Sequence, residues 1–141
     1  MTAFASGPVD GERLAALPWD EREYFEFAVS LCGGILDQRP RQTEALALAA
    51  TALTALGRYE AGLTLDRQLA AIRPEDPMVL YNLACSLSLT GATDAAFEVL
   101  ADAVRHGYRD AGHLRRDPDL SPIRDDPRFR AILTAIGDAP R

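Results

Sequence analysis

The chain has 141 residues, 48% of them hydrophobic and 26% charged, with a net charge of −6. That length suits a single domain with a continuous core, and the balance of apolar and charged residues excludes a disordered chain. The acidic excess argues against a phosphate-binding surface, so no nucleic-acid partner is expected, and no stretch approaches the roughly 20 apolar residues that cross a bilayer, so no membrane partner is expected either.

Residues 1–10 contain neither a basic n-region nor an apolar h-region, so they read as a frayed N-terminus without a signal peptide. A divergent first unit is expected over 11–41. Its first helix, about Gly11–Leu17, is short and stops at Pro18. Its second, over 20–38, opens on the acid-rich turn Asp20-Glu21-Arg22-Glu23, which suits the helix dipole. That helix carries an apolar stripe of Phe25, Ala28, Val29, Cys32, Ile35 and Leu36. Gly33-Gly34 costs about 1 kcal/mol per glycine against alanine there, and admits a kink, a close contact or a tolerated exposed turn.

The segment 42–75 reads as two helices. Gln42–Leu56 places Leu46, Ala49, Ala50, Leu53 and Leu56 on one stripe, and Gly57 follows where a helix ends in a left-handed residue. Tyr59–Ile72 presents Tyr59, Leu63, Leu69 and Ala70 and stops before Pro74. The segment 76–109 repeats the pattern. Asp76-Pro77 opens a helix to about Leu89, Gly91 breaks it, and Thr93–His106 turns Ala96, Phe97, Leu100, Ala103 and Val104 inward. The shift that lays Pro40 on Pro74 also superposes Gly57 on Gly91, Leu46 on Leu80, Ala50 on Ala84 and Leu53 on Leu87. Phe25, Tyr59 and Thr93 form another column, and Ala28, Gly62 and Ala96 a third, whose small residues let helices approach closely. In 110–137, Asp126-Pro127 opens a last helix whose Phe129, Ile132, Leu133 and Ile136 share one face, able to cover the stripe of the preceding repeat.

The segments "LGRYEAGLTLDRQLAAIRPEDP" and "YNLACSLSLTGATDAAFEVLADAV" resemble tetratricopeptide repeats. The stretch "HGYRDAGHLRRDPDLSPIRDDPRFRAILTAI" is similar to a terminal segment that closes bacterial arrays of this family. Asp66 in place of a large apolar residue, Thr93 in place of an aromatic and Tyr108 in place of the terminal proline depart from the family pattern. The resemblance implies an all-α fold: one domain over 1–141, a short right-handed superhelix (an α-solenoid) of antiparallel helix pairs, about seven helices with a C-terminal capping helix. It also implies a concave groove lined by the first helix of each repeat. Carried over residue by residue, the ligand-facing positions are Glu44, Ala47, Leu48, Thr51 and Ala55, and then Met78, Tyr81, Asn82, Cys85 and Leu89. Asn82 matches an asparagine that can hydrogen-bond an extended peptide or tie helices together. With Ala47 and Leu48 in place and no lysine in the chain, the basic clamp that grips acidic chaperone tails is not expected.

No residue pattern points to catalysis, a cofactor or a metal. His106 and His113 lack ligand spacing with Asp110 or Asp117, and Cys85 sits mid-helix without a nucleophile elbow or glycine loop. Asp117, Asp119, Asp125 and Asp126 lack a calcium-loop pattern and read as turn and capping residues. Arg115, Arg116, Arg124, Arg128 and Arg130 alternate with acids and read as ion-paired. Residues 1–104 hold 7 arginines against 15 acids, and residues 105–141 hold 8 against 6; an acidic body can steer a basic partner, though solvated helix faces give the same tally.

The expected function is a protein–protein interaction module, an adaptor or scaffold that takes an apolar partner segment with basic flanks. The alternative is a small secretion-type tetratricopeptide chaperone that shields apolar stretches of one partner. Two distant cysteines on apolar faces suit the cytoplasm, and a lysine-free, arginine-only composition suits a GC-rich bacterium. Self-association is expected through the Trp19–Phe27 helix or the last helix.

Overall fold

The structure, a computed structural model, describes residues 7–137. It is all-α: the described residues form eight α-helices and one 3-10 helix, with no strand among them. In chain order these are α1 (Gly11–Ala16), α2 (Trp19–Gln38), α3 (Thr43–Ala55), α4 (Tyr59–Ile72), α5 (Pro77–Leu89), α6 (Thr93–Arg105), α7 (Ala111–Arg116), the 3-10 helix Pro118–Ile123 and α8 (Pro127–Ile136). They group into two compact units, Met1–Ile72 and Arg73–Arg141.

In the first unit α3 packs on both α2 and α4. The Gln42 side chain caps α3 by accepting from the Ala45 amide at 2.6 Å. Leu46, Ala49, Ala50, Leu53 and Leu56, the stripe expected from the spacing, are all buried. The helix closes with Gly57 at φ +79°. The Gly57 amide donates to the Thr54 carbonyl at 3.0 Å and the Arg58 amide to the Leu53 carbonyl at 2.8 Å. This crossed pair of bonds uses carbonyls that a helix end leaves free, and it demands a left-handed residue between them. Gly62 then lets α4 lie close, because a Cβ there would stand 2.9 Å from Thr54 Oγ1.

Gly57 has a second task. Its carbonyl accepts from the Asp10 amide at 2.7 Å, and a Cβ on it would meet the Asp10 carbonyl oxygen at 2.6 Å. Tyr59 Oη donates to the Asp10 carboxylate at 2.6 Å, and the Arg13 guanidinium donates to the Thr54 carbonyl at 3.1 Å. The Tyr59 hydroxyl and then the amides of α1 that Asp10 caps hold its carboxyl below the ordinary range. The expectation of a frayed segment over 1–10 is therefore corrected at Asp10, which is seated on the α3–α4 turn; residues 1–6 lie outside the described residues.

Helix α2 runs unbroken through Gly33 and Gly34, so neither ends it. Ala28, Val29, Cys32 and Leu36 of its expected stripe are buried and Phe25 is half-buried, but Ile35 is exposed. That is a second correction to the expected inward set.

The second unit repeats the design. The pair α5–α6 starts and turns at the offset found in the sequence: Thr43 corresponds to Pro77, Ala55 to Leu89 and Tyr59 to Thr93. Asp76 caps α5 by accepting from the Met78 and Val79 amides. Gly91 at φ +83° carries the same crossed bonds, its own amide to Ser88 and the Ala92 amide to Leu87. Ala96, Phe97, Leu100, Ala103 and Val104 are buried as expected. Asp126 caps α8, which packs on α6 and buries Phe129 and Ile132. Arg128 lies 4.5 Å over the Phe97 ring and bridges Asp94 at 2.9 Å and Asp126 at 2.8 Å. The hydrogen bond from Arg128 draws the Asp126 carboxyl down to about 2.

The two left-handed glycines make a matched pair of test sites. Gly91→Ala meets open space and carries only the backbone penalty, about 1–2 kcal/mol. Gly57→Ala adds a clash with the Asp10 backbone, so it is expected to cost more and to release α1. Urea titration of both variants checks this, and equal losses would show that Asp10 is not seated on the turn.

Candidate functional site

The first helix of each pair supplies the candidate positions. On α3, Glu44, Ala47, Leu48 and Thr51 are exposed and Ala55 is half-buried. These recur every three or four residues, so they form one face, opposite the buried Leu46, Ala49, Ala50 and Leu53. On α5 the equivalent positions behave differently. Met78 and Asn82 are exposed and Leu89 is half-buried, but Tyr81 and Cys85 are buried. The Asn82 side chain makes no hydrogen bond among the described residues, so it does not tie helices together.

The expectation that Tyr81 and Cys85 face a ligand is therefore corrected, and the reason is the chain's own C-terminal segment. The Tyr81 ring stacks on Tyr108 at 4.5 Å between centroids, with 4° between planes. Its hydroxyl donates to Asp117 Oδ2 at 2.6 Å, and the Cys85 thiol donates to the same oxygen at 3.7 Å. His113, one turn before Asp117 on α7, brings Nε2 to 3.3 Å from Oδ2 and its ring to 5.5 Å from Tyr81. Beyond Asp117, the 3-10 helix packs on α5, with Leu114, Leu120 and Ile123 buried.

Asp117 is placed for this by the Asp-Pro step that opens the 3-10 helix. Its Oδ1 accepts from the Asp119 amide at 3.0 Å, as the cap of a first turn led by Pro118. Its carbonyl accepts from the Arg124 guanidinium at 2.5 Å. The carboxylate is thus engaged on both oxygens, one by its own turn and one by α5.

The ionisation of the cluster follows from burial. The Tyr81 phenol is pushed far above its usual range by burial, with the Cys85 thiol and the Asp117 carboxylate adding to the shift. Burial, then the Asp117 and Asp119 carboxylates, push the Cys85 thiol up as well. Burial carries the Tyr108 phenol up to about 12. Cys85, Asp117 and Asp119 bring one ligand atom each within 4.8 Å of one another, the spacing a metal would need. Their chemistry points elsewhere: a thiolate ligand is disfavoured here, and both Asp117 oxygens already hold donors. The arrangement is a hydrogen-bonded fastening of a segment onto a helix face.

No protein-family model matches the chain. The chain is similar to a chloroplastic protein of Arabidopsis thaliana, with 31% identity over 86 residues, which cover 59% of this chain and 26% of that protein. It therefore spans about a quarter of that relative's length.

The fastening can be weighed by Tyr81→Phe, which keeps the stacked ring and deletes only the donor to Asp117. The variant is expected to lose about 1–3 kcal/mol in chemical denaturation, the cost of stripping a buried charged acceptor of one donor. Tyr81→Ala removes the ring as well, for about 3–5 kcal/mol. A Tyr81→Phe loss below about 0.5 kcal/mol would show that the hydroxyl does not hold the segment.

Proposed function

We propose that this chain is a tetratricopeptide-type helical-repeat module, of the short right-handed superhelical kind that such helix pairs build, and that it binds a segment of a partner protein on the open face of α3. One observation carries the reading. On the same face of the two equivalent helices, the Tyr81 and Cys85 positions of α5 are covered by the chain's own segment, whereas the matching Ala47 and Thr51 of α3 are bare. Ala47 stands where α5 has Tyr81, Leu48 where it has Asn82 and Thr51 where it has Cys85. The intramolecular case illustrates the kind of occupant this face accommodates: a stretch of short helical turns that inserts apolar side chains and fastens itself by a polar anchor. Recurrence of the helix starts and of the left-handed glycines at one fixed offset supports the repeat assignment.

The chemistry of the α3 face describes its ligand. Ala47, Leu48 and Thr51 form a small uncharged floor with Glu44 at one end. Residues 1–72 carry 6 arginines against 10 acids, so the surround attracts cations. An apolar stretch with Arg or Lys at its flanks complements both features. On this proposal the chain has no reaction, cofactor or metal of its own, because the titratable cluster around Asp117 is engaged in holding the segment. Its setting is a reducing cytoplasm, where the buried free thiols of Cys32 and Cys85 persist. No helix among the described residues is long and apolar enough to cross a membrane.

Selection from a displayed peptide library tests the face without a partner in hand. The wild-type chain is expected to enrich peptides with an apolar centre and basic flanks. Ala47→Arg combined with Leu48→Glu is expected to weaken them at least tenfold, about 1.4 kcal/mol, at unchanged helicity. Peptides that bind the double variant as tightly as the wild type would refute the assignment.

A further inference from the structure

Helix α2 presents a second exposed feature, separate from the α3 face. Tyr24 is 57% exposed, Phe27 64%, Leu31 50% and Ile35 37%. Their spacing of three, four and four residues puts them on one stripe, which borders the face that carries Ala28, Val29, Cys32 and Leu36 into the unit. Such a stripe of large apolar groups on a helix that faces water marks a contact surface.

The repeat explains why the stripe is bare. Leu31 and Ile35 correspond, one repeat further on, to Leu65 and Leu69 of α4, and both of those are buried. In the two complete pairs the second helix packs on the first, α4 on α3 and α6 on α5. The first helix before α2 is only the six-residue α1, about 9 Å long, whereas α2 with its 20 residues extends about 30 Å. In addition, α1 is tied to the α3–α4 turn through Asp10 and Arg13, and it bonds α2 near that helix's start, where Arg22 donates to the Leu14 carbonyl at 2.8 Å. What is missing beside α2 is one antiparallel helix.

The charges of α2 say which helix fits. Asp20, Glu21 and Glu23 lie at its start, and Arg39 and Arg41 lie just past its end, all exposed and none in an ion pair among the described residues. Two copies of α2 that run antiparallel and cross at Leu31 bring Phe27 of one beside Ile35 of the other. The same arrangement brings Glu21 of one copy to the flank and level of Arg39 of the other, a pair formed twice by the two-fold symmetry. A parallel arrangement would set the acids against one another. The helix dipole alone accounts for acids at the start of a helix, but not for the aromatic stripe between them and the arginines.

The geometry points to a homodimer in which α2 of a second copy supplies the missing helix, in an antiparallel pairing through Tyr24, Phe27, Leu31 and Ile35. It is independent of the α3 face, which stays free in each copy to take a partner segment.

Sedimentation equilibrium of the full chain from 1 to 200 μM tests the pairing. The wild type is expected to dimerise within that range. Phe27→Arg and, separately, Leu31→Arg are expected to leave monomers with wild-type helicity and melting, since both positions are exposed. Glu21→Arg alone and Arg39→Glu alone are each expected to weaken the dimer about tenfold or more, and the double exchange to restore it to within about threefold of wild type. A wild-type monomer at 200 μM, a dimer that survives Phe27→Arg and Leu31→Arg, or a double exchange that fails to restore association each overturns the proposal. Peptide binding at α3 should be indifferent to all of these changes.

Discussion

Tyr81 commits its ring to Tyr108 and its hydroxyl to Asp117, and these two contacts fasten the segment from Tyr108 to Ile123 to α5. Asp117 is where the constraints converge: it caps the 3-10 helix, accepts from Tyr81 and Cys85, and offers its carbonyl to Arg124. Donors that share one buried acceptor lose their partner together when it moves. The segment from Tyr108 to Ile123 therefore behaves as a single latch over the face of α5. The polar residues that looked like candidates for chemistry, His113, Cys85, Asp117 and Asp119, form the latch or lie beside it.

Much of the helix layout could be read locally from the sequence. Gly57 and Gly91 are required by the left-handed turns that close α3 and α5, and each turn is fixed by bonds reaching back only three and five residues along the chain. Asp76-Pro77 and Asp126-Pro127 announce helix starts because the carboxylate and the ring act on the first turn alone. The burial of Ala96, Phe97, Leu100, Ala103 and Val104 follows from period and register.

The errors have the opposite character. Tyr81 and Cys85 are closed off by Asp117, which lies 36 and 32 residues away in sequence. Nothing in the local pattern of α5 distinguishes a face met by a ligand from a face met by the chain itself. Asp10 is seated on the α3–α4 turn through the carbonyl of Gly57 and the hydroxyl of Tyr59, again a distant pairing. Ile35 is on the expected face of α2, yet that face extends beyond the helix available to cover it. Periodicity gives the direction in which a side chain points. Whether something stands there depends on the lengths and positions of other elements.

The functional reading rests on the contrast between two helices of the same design, one covered at Tyr81 and Cys85 and one bare at the matching positions. Thr51 and Cys85 occupy the same register position in successive repeats, so thiol reactivity compares the two faces directly. In a Cys32→Ser background, the thiol introduced by Thr51→Cys should react with a maleimide at the rate of an unhindered thiol. Cys85 should be slower by on the order of a hundredfold or more, limited by opening of the latch. Similar rates at the two positions would contradict the account, because they would mean that the α5 face is as open as that of α3.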